Sequence, residues 1–88
     1  MILDFSILRR ARLTQSEFAH FANVSRVTVN NWIHGRLGVH DARIQKISKL
    51  LRAVELAVEA KAFPLAVTPK DKRIEAIKKV LLVYLAAK

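Results

Sequence analysis

Apolar residues recur along this chain at spacings of three and four, the period of a helix face. Phe5, Leu8 and Ala11 share one side of a first helix over about Phe5 to Arg12, with Asp4 as its N-cap. Thr14-Gln15-Ser16-Glu17 has the spacing of a capping box, so a second helix runs from Gln15 to about Ala22 and buries Phe18, Ala19 and Ala22. Asn23 tolerates the positive φ that turns a chain after a helix, and Ser25 is the next N-cap. The following stretch, VTVNNWIHGR, has the β-branched content of a strand. Yet a helix sorts Val29, Trp32 and Ile33 to one face and Arg26, Asn30, Asn31 and His34 elsewhere, whereas a strand mixes them. The pattern therefore predicts a third helix, stopped by Gly35.

A long fourth helix begins at His40 or Asp41 and reaches about Lys61. Its stripe is Ile44, Ile47, Leu51, Val54 and Val58, with Leu50 at the edge and Leu56 turned away. Pro64 ends it, and Phe63 to Val67 forms a connector that docks on the body. Thr68-Pro69 reads as an N-cap and first helical residue for a last helix from about Lys70 to Ala87. Ile74, Ile77 and Leu81 make its first half amphipathic, while Val80 to Ala87 is apolar on all sides. The fold class is all-α with five helices. Residues 1–63 form the main domain, and residues 64–88 a connector and a C-terminal dimerisation helix.

Composition narrows the chemistry. The 88 residues carry 16 basic and 7 acidic side chains, a balance of +9, which points to a polyanionic partner. The absence of cysteine excludes disulfides and thiolate metal sites and fits a cytoplasmic location. MILDFSILRR does not read as a signal peptide, because its charges follow the apolar run. The longest apolar run, eight residues, is far short of the roughly 20 a membrane span needs, so no membrane partner is expected.

Two short helices joined by three residues, the second anchored by Val29 and Trp32 and polar outside, form a helix-turn-helix pattern. LTQSEFAHFANVSRVTVNNWIHG resembles the DNA-binding core of the lambda repressor and Cro-like (XRE) regulators. It departs from them in having Arg12 where a glycine often precedes Leu-Thr-Gln, Asn23 for glycine in the turn, and Ile33-His34 for Glu-Asn. The resemblance implies a lambda-repressor-like domain whose helix from Arg26 enters the major groove of double-stranded DNA. The residues suit that task. Arg26 can donate twice to a guanine edge, Asn30 or Asn31 can pair with adenine, and Val27 and the Thr28 methyl can meet thymine methyls. Gln15 resembles the family residue that grips a phosphate. Ser25, Arg9, Arg10, His34 and Arg36 complete the phosphate-contacting set.

No other chemistry competes. His20, His34 and His40 lack the spacing and acidic neighbours of a zinc site, and no glycine-rich phosphate loop exists. Glu55 and Glu59 are a helix surface, and Ser25 lacks a base, so the chain reads as no enzyme, with no metal, cofactor or small-molecule ligand. The exposed apolar tail needs covering. A homodimer through Leu56, Ile77, Leu81, Leu82, Tyr84 and Leu85 would cover it and match a two-fold operator. The reading is a sequence-specific transcriptional regulator, a phage or bacterial repressor. Two alternatives stay open: an antitoxin-type protein binding a different protein through its tail, and a DNA-packaging protein resembling a phage terminase small subunit.

Overall fold

A computed structural model describes residues 3–66 and 68–86. Five α-helices and a short 3-10 turn occupy them, and no strand occurs among the described residues. The first helix, α1 (Ile7–Arg10), is shorter than its apolar spacing predicts. The Asp4 carboxylate accepts from the Ser6 N–H at 2.9 Å, which closes a turn ahead of the helix instead of capping its first residue. At the other end Arg12 adopts φ 55°, and Leu13 N–H reaches back to the Leu8 carbonyl at 2.9 Å. That is the left-handed stop where the related pattern carries glycine.

Local signals set the next two helices. In α2 (Gln15–Ala22) the Thr14 hydroxyl accepts from Glu17 N–H at 3.1 Å, and the Glu17 carboxylate accepts from Thr14 N–H at 2.9 Å. Asn23 stands at φ 59° and turns the chain. In α3 (Arg26–Ile33) the Ser25 hydroxyl accepts from Thr28 N–H at 3.1 Å, and Gly35, at φ 70°, ends the helix. Val29 and Trp32 are buried as expected, but Ile33 is 37 % exposed. It lies at the last turn beside an open cleft shared with Leu3, Phe5, Arg9 and Gln15, where no element covers it.

His40 caps α4 (Asp41–Glu59), its Nδ1 accepting from Ala42 N–H at 3.2 Å. The helix stops short of Lys61, which takes φ 64°. The buried face of α4 is Ile47, Leu50, Leu51, Ala53, Val54 and Ala57, with Ile44 and Val58 half-buried. Leu50 is therefore interior rather than marginal, because α5 packs along that side.

The connector docks through Phe63, which is fully buried; Val67 lies outside the described residues. The predicted cap at Thr68 is not made: its hydroxyl donates to the Ala66 carbonyl at 2.7 Å. The chain instead takes a 3-10 turn, Lys70–Lys72, before α5 (Arg73–Leu85). Ala87, placed in this helix by the apolar pattern, lies outside the described residues. Ile77 and Leu81 project into the same hydrophobic core as Leu8, Phe18, Val29, Ile47 and Val54. They are 0 % and 4 % exposed, so neither can serve an interface between copies, contrary to the expectation. Packing on α4 claims them first. Leu82, Val83 and Leu85 remain exposed, and Leu56 and Tyr84 are half-buried.

Candidate nucleic-acid interface

The interface candidates depend on how firmly α3 is held. Trp32 stacks on Phe5 at 6.0 Å between centroids with planes 29° apart, and Phe5 meets Phe18 edge-on at 6.2 Å. The indole is thus an anchor inside the fold, not a platform for bases. Val29, wholly buried, fixes the same face. With these two inside, the opposite side of α3 faces outward: Arg26 and Val27 are exposed, and Thr28, Asn30 and Asn31 are half-buried. No aspartate or glutamate occurs between residues 18 and 40, so no acidic side chain from this stretch offsets its basic groups.

Polar side chains next to α3 form a chain of hydrogen bonds. Gln15, the first residue of α2, accepts at Oε1 from Asn30 Nδ2 at 3.2 Å. Asn30 Oδ1 accepts from Arg36 Nη2 at 2.5 Å, and Arg36 Nε donates to Asn31 Oδ1 at 3.1 Å. The Gln15 amide nitrogen is left out of this bond, at the positive end of α2. Arg36, one of the phosphate candidates, folds onto the two asparagines. The Ser25 hydroxyl is engaged by its cap and by the Thr28 hydroxyl at 2.9 Å. His34 is exposed at the end of α3.

The two arginines of α1 part company. Arg9 lines the cleft that holds Gln15, Trp32 and Ile33, and so belongs beside α3. Arg10 lines a different cleft with Asp4, Ser48, Arg52 and Glu55 over α4. The structure therefore brings Gln15, Arg9 and Arg36 to α3 and leaves Arg10 apart.

A model of the helix-turn-helix family designated HTH_3 matches residues 7–58. The chain belongs to the helix-turn-helix family. The match takes in α1 to α4 almost entirely and supports the lambda repressor and Cro-like character of the motif, hence DNA binding in transcription regulation at the level of the family. No curated protein and no solved structure gives a significant match.

One contact beneath this helix-turn-helix was not legible in the motif. Arg73, at the start of α5, donates through Nε to Glu17 Oε2 at 2.7 Å and through Nη2 to Glu17 Oε1 at 3.1 Å. It also reaches the Arg12 carbonyl at 3.2 Å. The Arg73 guanidinium holds the Glu17 carboxyl below its ordinary range, against the effect of burial and with help from the Thr14 backbone N–H. The capping box of α2 is thereby tied to α5. Only the unusual burial of Glu17 signals this, and burial is not visible from spacing.

Proposed function

We propose that this protein is a sequence-specific transcriptional regulator, a repressor of phage or bacterial type. It binds double-stranded DNA in the cytoplasm as a homodimer and acts as no enzyme. α3 lies in the major groove: Arg26 donates to a guanine edge and Val27 meets a thymine methyl, while Gln15 and Arg9 hold flanking phosphates. The observation that carries this reading is the sidedness of α3. Trp32 and Val29 are locked inside, and an exposed arginine, an exposed valine and an amide network stand outside.

The homodimer is supported by α5, where Leu82 and Val83 are 56 % and 63 % exposed side by side near the end of the chain. Together with Leu56, Tyr84 and Leu85 they offer an apolar surface that a second copy can cover. Two reading helices related by a two-fold axis then meet half-sites about 34 Å apart.

Selection of bound duplexes from a random pool, joined to sedimentation of the full chain, tests the reading. The expected result is an inverted repeat with one helical turn between half-site centres and a protein of twice the chain mass. Binding without any selected sequence contradicts sequence-specific regulation. A single asymmetric site with a monomeric protein contradicts the dimer.

A further inference from the structure

A trough of about 670 Å³ opens between α2, α4 and α5, and no residue of α3 lines it. Leu50 and Leu81, both buried, form its floor. Leu82 and Leu85 stand exposed along its α5 side, and half-buried Phe21 closes the end of α2. Clustered apolar side chains left open to water mark a surface that something else covers. Three exposed lysines border the same trough, Lys46 and Lys49 from α4 and Lys78 from α5. None of them is paired: the salt bridges among the described residues join Arg52 to Glu55 and Arg73 to Glu17. No carboxylate lines the trough. Glu17, Asp41 and Glu75 come within three positions of lining residues in the chain, yet none belongs to the lining, and Glu17 is held by Arg73.

An apolar floor beneath unpaired lysines calls for hydrocarbon and carboxylate in one occupant. A helix with leucine-like side chains on one face and aspartate or glutamate along its flanks supplies both. We infer that this trough docks an acidic amphipathic helix of another protein. Its apolar face covers Leu50, Leu81, Leu82 and Leu85, and its carboxylates meet Lys46, Lys49 and Lys78. A second copy is a poorer occupant. It carries the same +9, and its own exposed Leu82 and Val83 follow Lys78 and Lys79 in α5. Setting that face into the trough brings lysines of both copies together, which costs binding. Val83, Leu56 and Tyr84 line no part of the trough and remain for the homodimer contact. DNA offers phosphates but no apolar stripe, and would leave the leucines uncovered. The inference goes beyond the proposed regulator and does not require α3 to read bases.

The probe is a labelled synthetic peptide of about 15 residues, long enough to form a helix. Leucines at i, i+3, i+4 and i+7 make one face, and glutamates flank them. Anisotropy should report binding to the full chain that weakens with added salt. Peptides with serine for each leucine, or lysine for each glutamate, should not bind. Lys46→Glu combined with Lys78→Glu should raise Kd about tenfold or more. Lys70→Glu combined with Lys72→Glu makes the same change in net charge outside the trough and should leave Kd within about twofold. All four lysines are exposed, so neither pair of substitutions removes packing. Leu82→Ser, also at an exposed position, should weaken binding as well. Equal effects of the two lysine pairs, or a serine peptide that binds as tightly as the leucine one, would overturn the inference and reduce the contact to net charge. A leucine peptide that does not bind would overturn it too. If Leu82→Ser then turns a dimer into a monomer on sedimentation, the trough belongs to a second copy. Failure of the wild-type chain to select any DNA sequence would defeat the proposed function and leave the peptide result standing.

Discussion

The helix-turn-helix and the C-terminal segment obey different rules. Between Thr14 and Gly35 each boundary is set by a residue within four positions of it: a capping box, an asparagine turn, a serine cap and a glycine stop. Between Phe63 and Leu85 the local signals misplace the helix start. Thr68 and Pro69 advertise a helix start, yet α5 begins only at Arg73, whose guanidinium reaches across to Glu17. Local hydrogen bonds can define a motif, but its orientation in the fold is fixed by contacts far apart in sequence.

The largest test of this contrast removes packing from α5. Ile77 is wholly buried, so Ile77→Ala should cost about 2–5 kcal/mol. Thermal unfolding followed at Trp32 should show the loss, because the two regions share one core. A Trp32 transition that stays in place would separate α5 from the helix-turn-helix.

Next in size is the Arg73–Glu17 pair. Both side chains keep some contact with water, so Arg73→Ala should cost about 1–2 kcal/mol rather than the full value for a buried pair. The folded carboxyl of Glu17 is depressed, so the stabilisation is complete above its unfolded value and is lost as pH falls through the lower folded value. Denaturant melts below the ordinary glutamate range should therefore show wild type and Arg73→Ala converging, while at neutral pH they stay apart. A gap that is constant with pH would assign the effect to packing alone.

Ser25→Ala should cost about 1 kcal/mol through the lost cap of α3. Its effect on affinity should follow from that loss of helix order, since the hydroxyl is committed to the backbone and to Thr28. The smallest effect has the opposite sign. Arg12 stands in the left-handed region, which a residue with a Cβ occupies at a cost. Arg12→Gly should stabilise the protein by about 0.5 kcal/mol, the relief of strain less the added freedom of the unfolded chain. A loss of stability would mean that the Arg12 side chain contributes more than its backbone strain costs.

Much of this molecule is legible before any coordinates. Apolar spacing predicts the five helices, and capping residues place both ends of α2 and the start of α3. Where it fails, the cause is packing that spacing cannot express. Ile33 lies on the apolar side of α3 but stays partly exposed at the edge of a cleft, whereas Leu50 looks marginal until α5 covers it. Ile77 and Leu81 look like tail residues awaiting a partner, yet α4 and the core bury them. The bonds of Arg36 to Asn30 and Asn31 are not visible from spacing either, because the turn at Gly35 brings it onto them.

The central claim, that the outward edge of α3 reads bases, is tested most directly at Arg26. Competition binding of Arg26→Ala against the selected operator and its single-base variants should show loss of preference at one guanine in each half-site, about 1–3 kcal/mol. Binding to unrelated duplexes should be weakened far less. An unchanged ranking of operators, with all sequences weakened equally, would contradict that role for α3.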